Sequence, residues 1–161
     1  MENQTLIKLD QAKQLLAEVN SVKDVLPIIK QAELAELYAK KVKLGEEAEM
    51  YARSIKFAAQ RKAGEFLKET PKHKGGDAGT MRALAQETPT LAKMGITKKQ
   101  SSNWQQMTEI PEESFELVKQ GKKTIKQAKQ EVKREKRIEK ARTLSDTVNV
   151  TLGEDWDMLD T

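Results

Sequence analysis

Apolar residues recur at helical spacing through most of the chain and alternate almost nowhere. Leu6, Leu9, Leu15, Leu16 and Val19 predict a short amphipathic helix over 6–19. Ser21 followed by Asp24 reads as a capping-box-like start to a second helix that runs to about Lys43. Pro27 lies too deep to be a first-turn proline, so a kink or a late start near Leu26 is expected. Gly45 suits a left-handed helix end. Ala48, Ala52, Ile55, Ala59 and Phe66 share one stripe of a further helix over 46–69, which Pro71 stops. That helix spans roughly 36 Å. With its predecessor it makes a long helical hairpin whose seam is thin and rich in alanine. So thin a seam needs packing from the first helix or from a dimer partner.

Residues 70–80 (TPKHKGGDAGT) hold glycine, proline and few apolar side chains, and read as a hinge loop. His73 sits there as the only histidine, with no second one to build a zinc site. Beyond the hinge, Met81–Gln86 fits one helical turn or a short helix, and Thr88-Pro89 is a helix start with Thr88 as N-cap and Pro89 at the first helical position. A short apolar helix then runs into Gly95, and a second helix covers Thr97–Ile110, ended by Pro111. Residues 112–119 form another short helix, and Gly121 punctuates. A basic helix follows over about 124–142, with Ile125, Ala128, Val132 and Ile138 as its apolar side. In the tail, TVNVTL alternates with β-branched residues and looks like a strand, although no partner strand exists in the chain. The fold class expected is all-α: hairpin (1–69), hinge (70–80), helix-turn-helix module with basic helix (81–142), and a short extended acidic tail (143–161).

Composition narrows the chemistry. The absence of cysteine excludes disulfides, thiolate metal sites and cysteine nucleophiles, and points to a reducing compartment. The N-terminus has no signal-peptide pattern and no apolar run approaches the ~20 residues of a membrane span. These features suggest a cytoplasmic setting with no membrane contact. The net charge of +4 conceals a division. Residues 121–140 carry nine Lys/Arg against three Glu, while 151–161 carry four acids and no base. The basic stretch fits nucleic acid, and the acidic end fits a different, protein partner.

The corner TLAKMGITKKQSSNWQQMTEIP (90–111) carries the functional argument. Gly95 permits the positive φ of a tight corner and Thr97 is a good N-cap. On a helical wheel Leu91, Met94, Ile96, Ser101, Trp104, Met107 and Ile110 fall inward. Lys98, Lys99, Ser102, Asn103, Gln105 and Gln106 fall outward. Trp104 is then the core pin of the helix, not a platform for bases. The outward set suits base reading, because Asn and Gln pair bidentately with adenine and Lys meets guanine or phosphate. Thr97 at the helix start, with Lys122, Lys123, Lys126, Lys129, Lys133 and Arg134 after it, would hold the DNA backbone and make affinity fall steeply with salt.

MGITKKQSSNWQ (94–105), then IPEESFE (110–116) and GKKTIKQAKQEVKRE (121–135), resemble the N-terminal region of phage- and mobile-element-type DNA adenine-N6 methyltransferases. The corner is also similar to the helix-turn-helix of ParB-type partition proteins. RSIKFAAQRKAGEFL (53–67) resembles the helical segment that precedes this corner in such proteins, so the likeness covers roughly 25–142. TVNVTLGEDWDML (147–159) resembles the strand and acidic turn that open their methyltransferase domain. The sequence has neither a DPPY-like tetrapeptide nor an FxGxG-like loop for S-adenosylmethionine. Asn103 also stands where those proteins often have arginine. The resemblance therefore implies a DNA-targeting module with no cofactor, either a fragment of a methyltransferase or a stand-alone regulator.

The sequence thus predicts sequence-specific binding of double-stranded DNA, with the hairpin forming a homodimer. A competing reading is a coiled-coil adaptor, such as a phage-encoded inhibitor of a host factor, with no specific DNA site. Catalysis is not expected. Glu46/Glu47 and Glu112/Glu113 are the available carboxylate pairs, and they sit at helix starts where they favour the macrodipole.

Overall fold

The computed structural model describes residues 2–70 and 90–156, with side chains over 7–70 and 90–145. The fold is all-α. Helices α1 (Glu2–Glu18), α2 (Val22–Val42), α3 (Glu46–Glu69), α4 (Lys98–Met107), α5 (Glu112–Lys119) and α6 (Ile125–Trp156) follow in order. Most of the expected hinge, and Met81 to Pro89, lie outside the described residues. So do His73 and the start at Thr88-Pro89.

α1 packs on α2 and α3 through one seam, Leu9, Ala12, Leu16 and Val19. Leu15 fits the apolar pattern but falls off this seam and is exposed. Ser21 caps α2, its hydroxyl accepting from the Asp24 N–H. The helix passes through Pro27 without a late start. With the cap holding the first turn, the proline forgoes only the bond to the Lys23 carbonyl. At the other end Lys43, at φ 55°, takes the left-handed position expected of Gly45. Gly45, at φ 102°, instead caps the start of α3.

α3 is the axis of the molecule and touches α1, α2, α4 and α5. Its buried face is Ala52, Ile55, Ala59, Ala63, Gly64 and Leu67. Phe66, expected on that stripe, is only half-buried, and Leu67 takes its place. Small side chains let neighbouring backbones come close, most of all at Gly64. A Cβ added there would lie 2.2 Å from the Trp104 carbonyl oxygen and 2.5 Å from its carbon. α4 is therefore seated backbone-to-backbone on α3. One apolar cluster runs continuously from Leu9 to Val132, so the segments before and after the expected hinge share a core.

Polar contacts tie the helices together. Glu36 on α2 is 7% exposed. Its carboxylate accepts from Lys40 at 3.1 Å, from Arg53 at 3.0 Å and from Lys56. Burial pushes its pKa up, but the three cations more than offset this and hold it at about 2. The Tyr51 hydroxyl donates to Asp10, joining α3 to α1. Burial, reinforced by that carboxylate, raises the phenol to about 12. Arg61 reaches Glu112 at 2.7 Å and lies over the Phe115 ring at 4.5 Å, fastening α5 to α3.

α6 opens with a Thr124–Gln127 capping box. It rests on α4 and α5 through Ile125, Ala128 and Val132. From Lys133 to Ser145 every residue is exposed, Ile138 among them, so that isoleucine does not belong to the apolar side. The strand expected in TVNVTL is absent. Residues 143–156 continue α6 as helix, correcting the extended tail. A lone strand leaves its backbone unpaired, whereas a helix satisfies it internally.

Candidate nucleic-acid interface

The corner is built from local hydrogen bonds. Met94 N donates to the Thr90 carbonyl at 3.1 Å and Ile96 N to the Leu91 carbonyl at 2.9 Å. Gly95 turns the chain at φ 69°. Thr97 then caps α4 in a reciprocal box with Gln100, whose side-chain oxygen accepts the Thr97 N–H at 2.9 Å. The Thr97 hydroxyl, expected at the DNA backbone, is occupied by this box.

Ile96, Ser101, Trp104, Met107 and Ile110 are buried, and Leu91 and Met94 are half-buried against the same core. Lys98, Lys99, Ser102, Asn103 and Gln106 are exposed. Gln105 is half-buried and donates to Ser101 Oγ at 2.9 Å. The outward residues divide between two edges. Lys98, Ser102 and Gln105 border a shallow hollow with Lys68 of α3. Asn103 and Gln106 line a cleft of about 630 Å³ between α2, α4 and α6, with Trp104, Met107 and Ile29 among its apolar walls.

α6 supplies the other wall. Lys129 Nζ donates to Asn103 Oδ1 at 3.3 Å across the cleft. Burial beside this wall lowers the Lys129 pKa. Lys126, Lys129, Lys133 and Lys136 line one groove with Gln106 and Glu109. Glu109 is the acid of this groove, while Glu33 of α2 lines the adjoining cleft. Lys136 reaches it at 2.7 Å and Lys68 at 3.3 Å. The bond from Lys136 outweighs burial and lowers the Glu109 pKa, with Lys68 adding to it.

Three of the expected backbone contacts lie elsewhere. Lys122 borders a hollow with Lys13, Leu16 and Met50 of α1 and α3. Lys123 bonds to Ser114 and pairs with Glu131. Arg134 is roughly 100° round the helix from Lys133, turned from the groove. Conversely Lys136, Gln130 and Lys68 belong to this surface and were not among the expected contacts. The 3- and 4-residue spacing of Lys126, Lys129, Lys133 and Lys136 is the signal that marks them as one face.

Among the described residues no group of His, Asp and Glu side chains could hold a metal ion, and no helix is long and apolar enough to cross a membrane. No family model, no curated protein and no solved structure matches the chain.

Proposed function

We propose that this protein binds double-stranded DNA, reading sequence with the outward residues of α4 and holding phosphate with the lysines of α6. The observation that carries this reading is the Lys129–Asn103 contact, which makes the amide edge of α4 and the cationic face of α6 one surface. Lys98, Lys99, Ser102 and Gln106 are the exposed base-reading candidates, and Asn103 reads once Lys129 turns to phosphate. Lys126, Lys129 and Lys133 hold the backbone. In keeping with the resemblance of 94–105 and 121–135, the protein acts as a regulator or targeting module and performs no catalysis itself.

Selection of bound duplexes from a random pool, followed by polarisation titration, tests the reading. Enrichment of a motif whose recognition is lost in Lys99→Ala/Ser102→Ala/Gln106→Ala supports it. Equal affinity for all duplexes, unchanged in that variant, removes the sequence-reading claim.

A second reading rests on α2, where Leu34 and Leu37 are 67% and 63% exposed and lie three residues apart on one face. They suit self-association or a protein partner. Sedimentation of Leu34→Glu/Leu37→Glu against the wild type separates the two readings. A change in mass with duplex binding intact assigns the face to assembly.

A further inference from the structure

We infer that α6 carries a second DNA contact: a ridge of cations that continues past the body of the protein and lies along the duplex backbone without reading sequence. This rests on the duplex-binding reading and extends it.

The first observation is geometric. Among the described side chains Val132 is the last buried one of α6, and Lys136, through Glu109, makes the helix's last ion pair with the body. The helix nevertheless continues to Trp156. Its exposed stretch from Lys133 to Ser145 is roughly 20 Å of arm.

The second is the arrangement of charge. Lys126, Lys129, Lys133, Lys136, Arg137 and Lys140 fall within one band roughly 100° wide along the helix. The band is roughly 21 Å long. Glu131, Glu135 and Glu139 form their own line on another side.

This segregation is costly to an isolated helix. Solvated helices gain when acids and bases alternate four residues apart, and lose when like charges stack. Between 126 and 142 opposite charges meet only three apart, at Glu131/Arg134, Lys136/Glu139 and Glu139/Arg142, and never four apart, whereas Lys129–Lys133, Lys133–Arg137, Lys136–Lys140, Glu131–Glu135 and Glu135–Glu139 are all alike. No ion pair lies within α6 among the described residues. Arg137 and Lys140 have no acidic partner there either. A pattern unfavourable to the free helix is relieved when a polyanion lies along the ridge.

Duplex DNA is the polyanion that fits. The ridge is continuous with the groove beside α4, so one duplex can meet both. A lipid surface would need an apolar band beside the cations. Ile138 and Leu144 are exposed but point roughly 120° apart on the helix, and give no such band.

The test compares two variants that each remove two positive charges from the same arm. Arg137→Ala/Lys140→Ala lies on the ridge, and Arg134→Ala/Arg142→Ala lies off it. Both sets of positions are exposed, and thermal unfolding checks that each variant folds. On a duplex that α4 recognises, the ridge variant is expected to bind roughly tenfold more weakly or worse, with log–log salt dependence shallower by about 2. Base preferences stay unchanged, and the off-ridge variant matches the wild type. Equal effects in both variants, or none in either, overturn the inference while leaving the α4 reading in place. Loss of anionic-vesicle binding in the ridge variant, with duplex binding intact, also overturns it. A wild-type protein that binds no duplex overturns both readings.

Discussion

α3 and the outer part of α6 are both long and both rich in Lys and Arg, yet they put those residues to opposite uses. On α3, Arg53 and Lys56 reach Glu36, Arg61 reaches Glu112 and Lys68 reaches Glu109, each acid on or beside a different helix. Among the described residues of α6 beyond Val132, only Lys136 finds an acid. The same side chains serve assembly where a helix is surrounded and remain available where it is not. Charge content alone therefore says little about where a polyanion binds. What matters is which cations the fold leaves without partners.

If α3 is specified by packing, the largest effects should follow from crowding it. Gly64→Ala places a methyl against the Trp104 carbonyl, a backbone group that cannot rotate away. The gain of roughly 1 kcal/mol in helix propensity is outweighed by overpacking, for a net loss of about 3 kcal/mol. Chemical unfolding should show it, together with a change in Trp104 fluorescence. An unchanged midpoint would mean that α4 is not seated on α3.

Glu36→Gln is next. Three cations lose their shared carboxylate, but Lys40 and Arg53 can turn to water, so the loss is about 2 kcal/mol, below that of a fully enclosed pair. Because the folded pKa of about 2 lies below the ordinary 4.5, the wild-type contribution is complete above pH 4.5 and fades as pH falls toward 2. Acid titration of stability should therefore be flatter in Glu36→Gln between those limits. Parallel curves would assign acid sensitivity to other carboxylates.

This contrast also explains what was legible in the sequence. The inward set around Trp104 could be read because it depends only on helical period and a local cap, Thr97 with Gln100. The bounds of α3 were legible because its apolar stripe starts after the break at Gly45 and Pro71 stops it, although Gly45 caps the start of α3 and not, as expected, the end of α2. Gly64 could not be recognised, since its importance comes from a helix more than thirty residues away in sequence. The fates of Lys122 and Lys123 were hidden for the same reason. Each depends on how the 119–124 turn aims it, one toward α1 and α3 and the other toward Ser114 and Glu131. TVNVTL misled because β-propensity expresses itself only where a neighbouring strand is present.

Glu109 joins the two regions, and its removal sharpens the comparison. Glu109→Gln frees Lys68 and Lys136 while costing about 0.5 kcal/mol, because the pairs are exposed. Duplex affinity should rise severalfold at low salt, since the groove loses its acid and gains two free cations. Weaker binding in this variant would show that Glu109 orients Lys136 for its contact, a result read directly from a polarisation titration.

The smallest effect on stability should come from the arm, and its sign is the informative part. Lys133→Glu places a carboxylate four residues before Arg137 and four after Lys129, replacing two like-charge neighbours with two opposite ones. The helix should gain about 0.3–0.5 kcal/mol per favourable pair, visible as slower amide exchange over 133–142. Duplex binding should fall at the same time, because the ridge is interrupted beside the groove. In α3 a substitution that loosens the fold and one that impairs function are hard to tell apart. In the arm they should move in opposite directions, because its charges are arranged against the helix's own stability. A variant with both a firmer arm and unchanged affinity would show that the lysine line is only a solvated face.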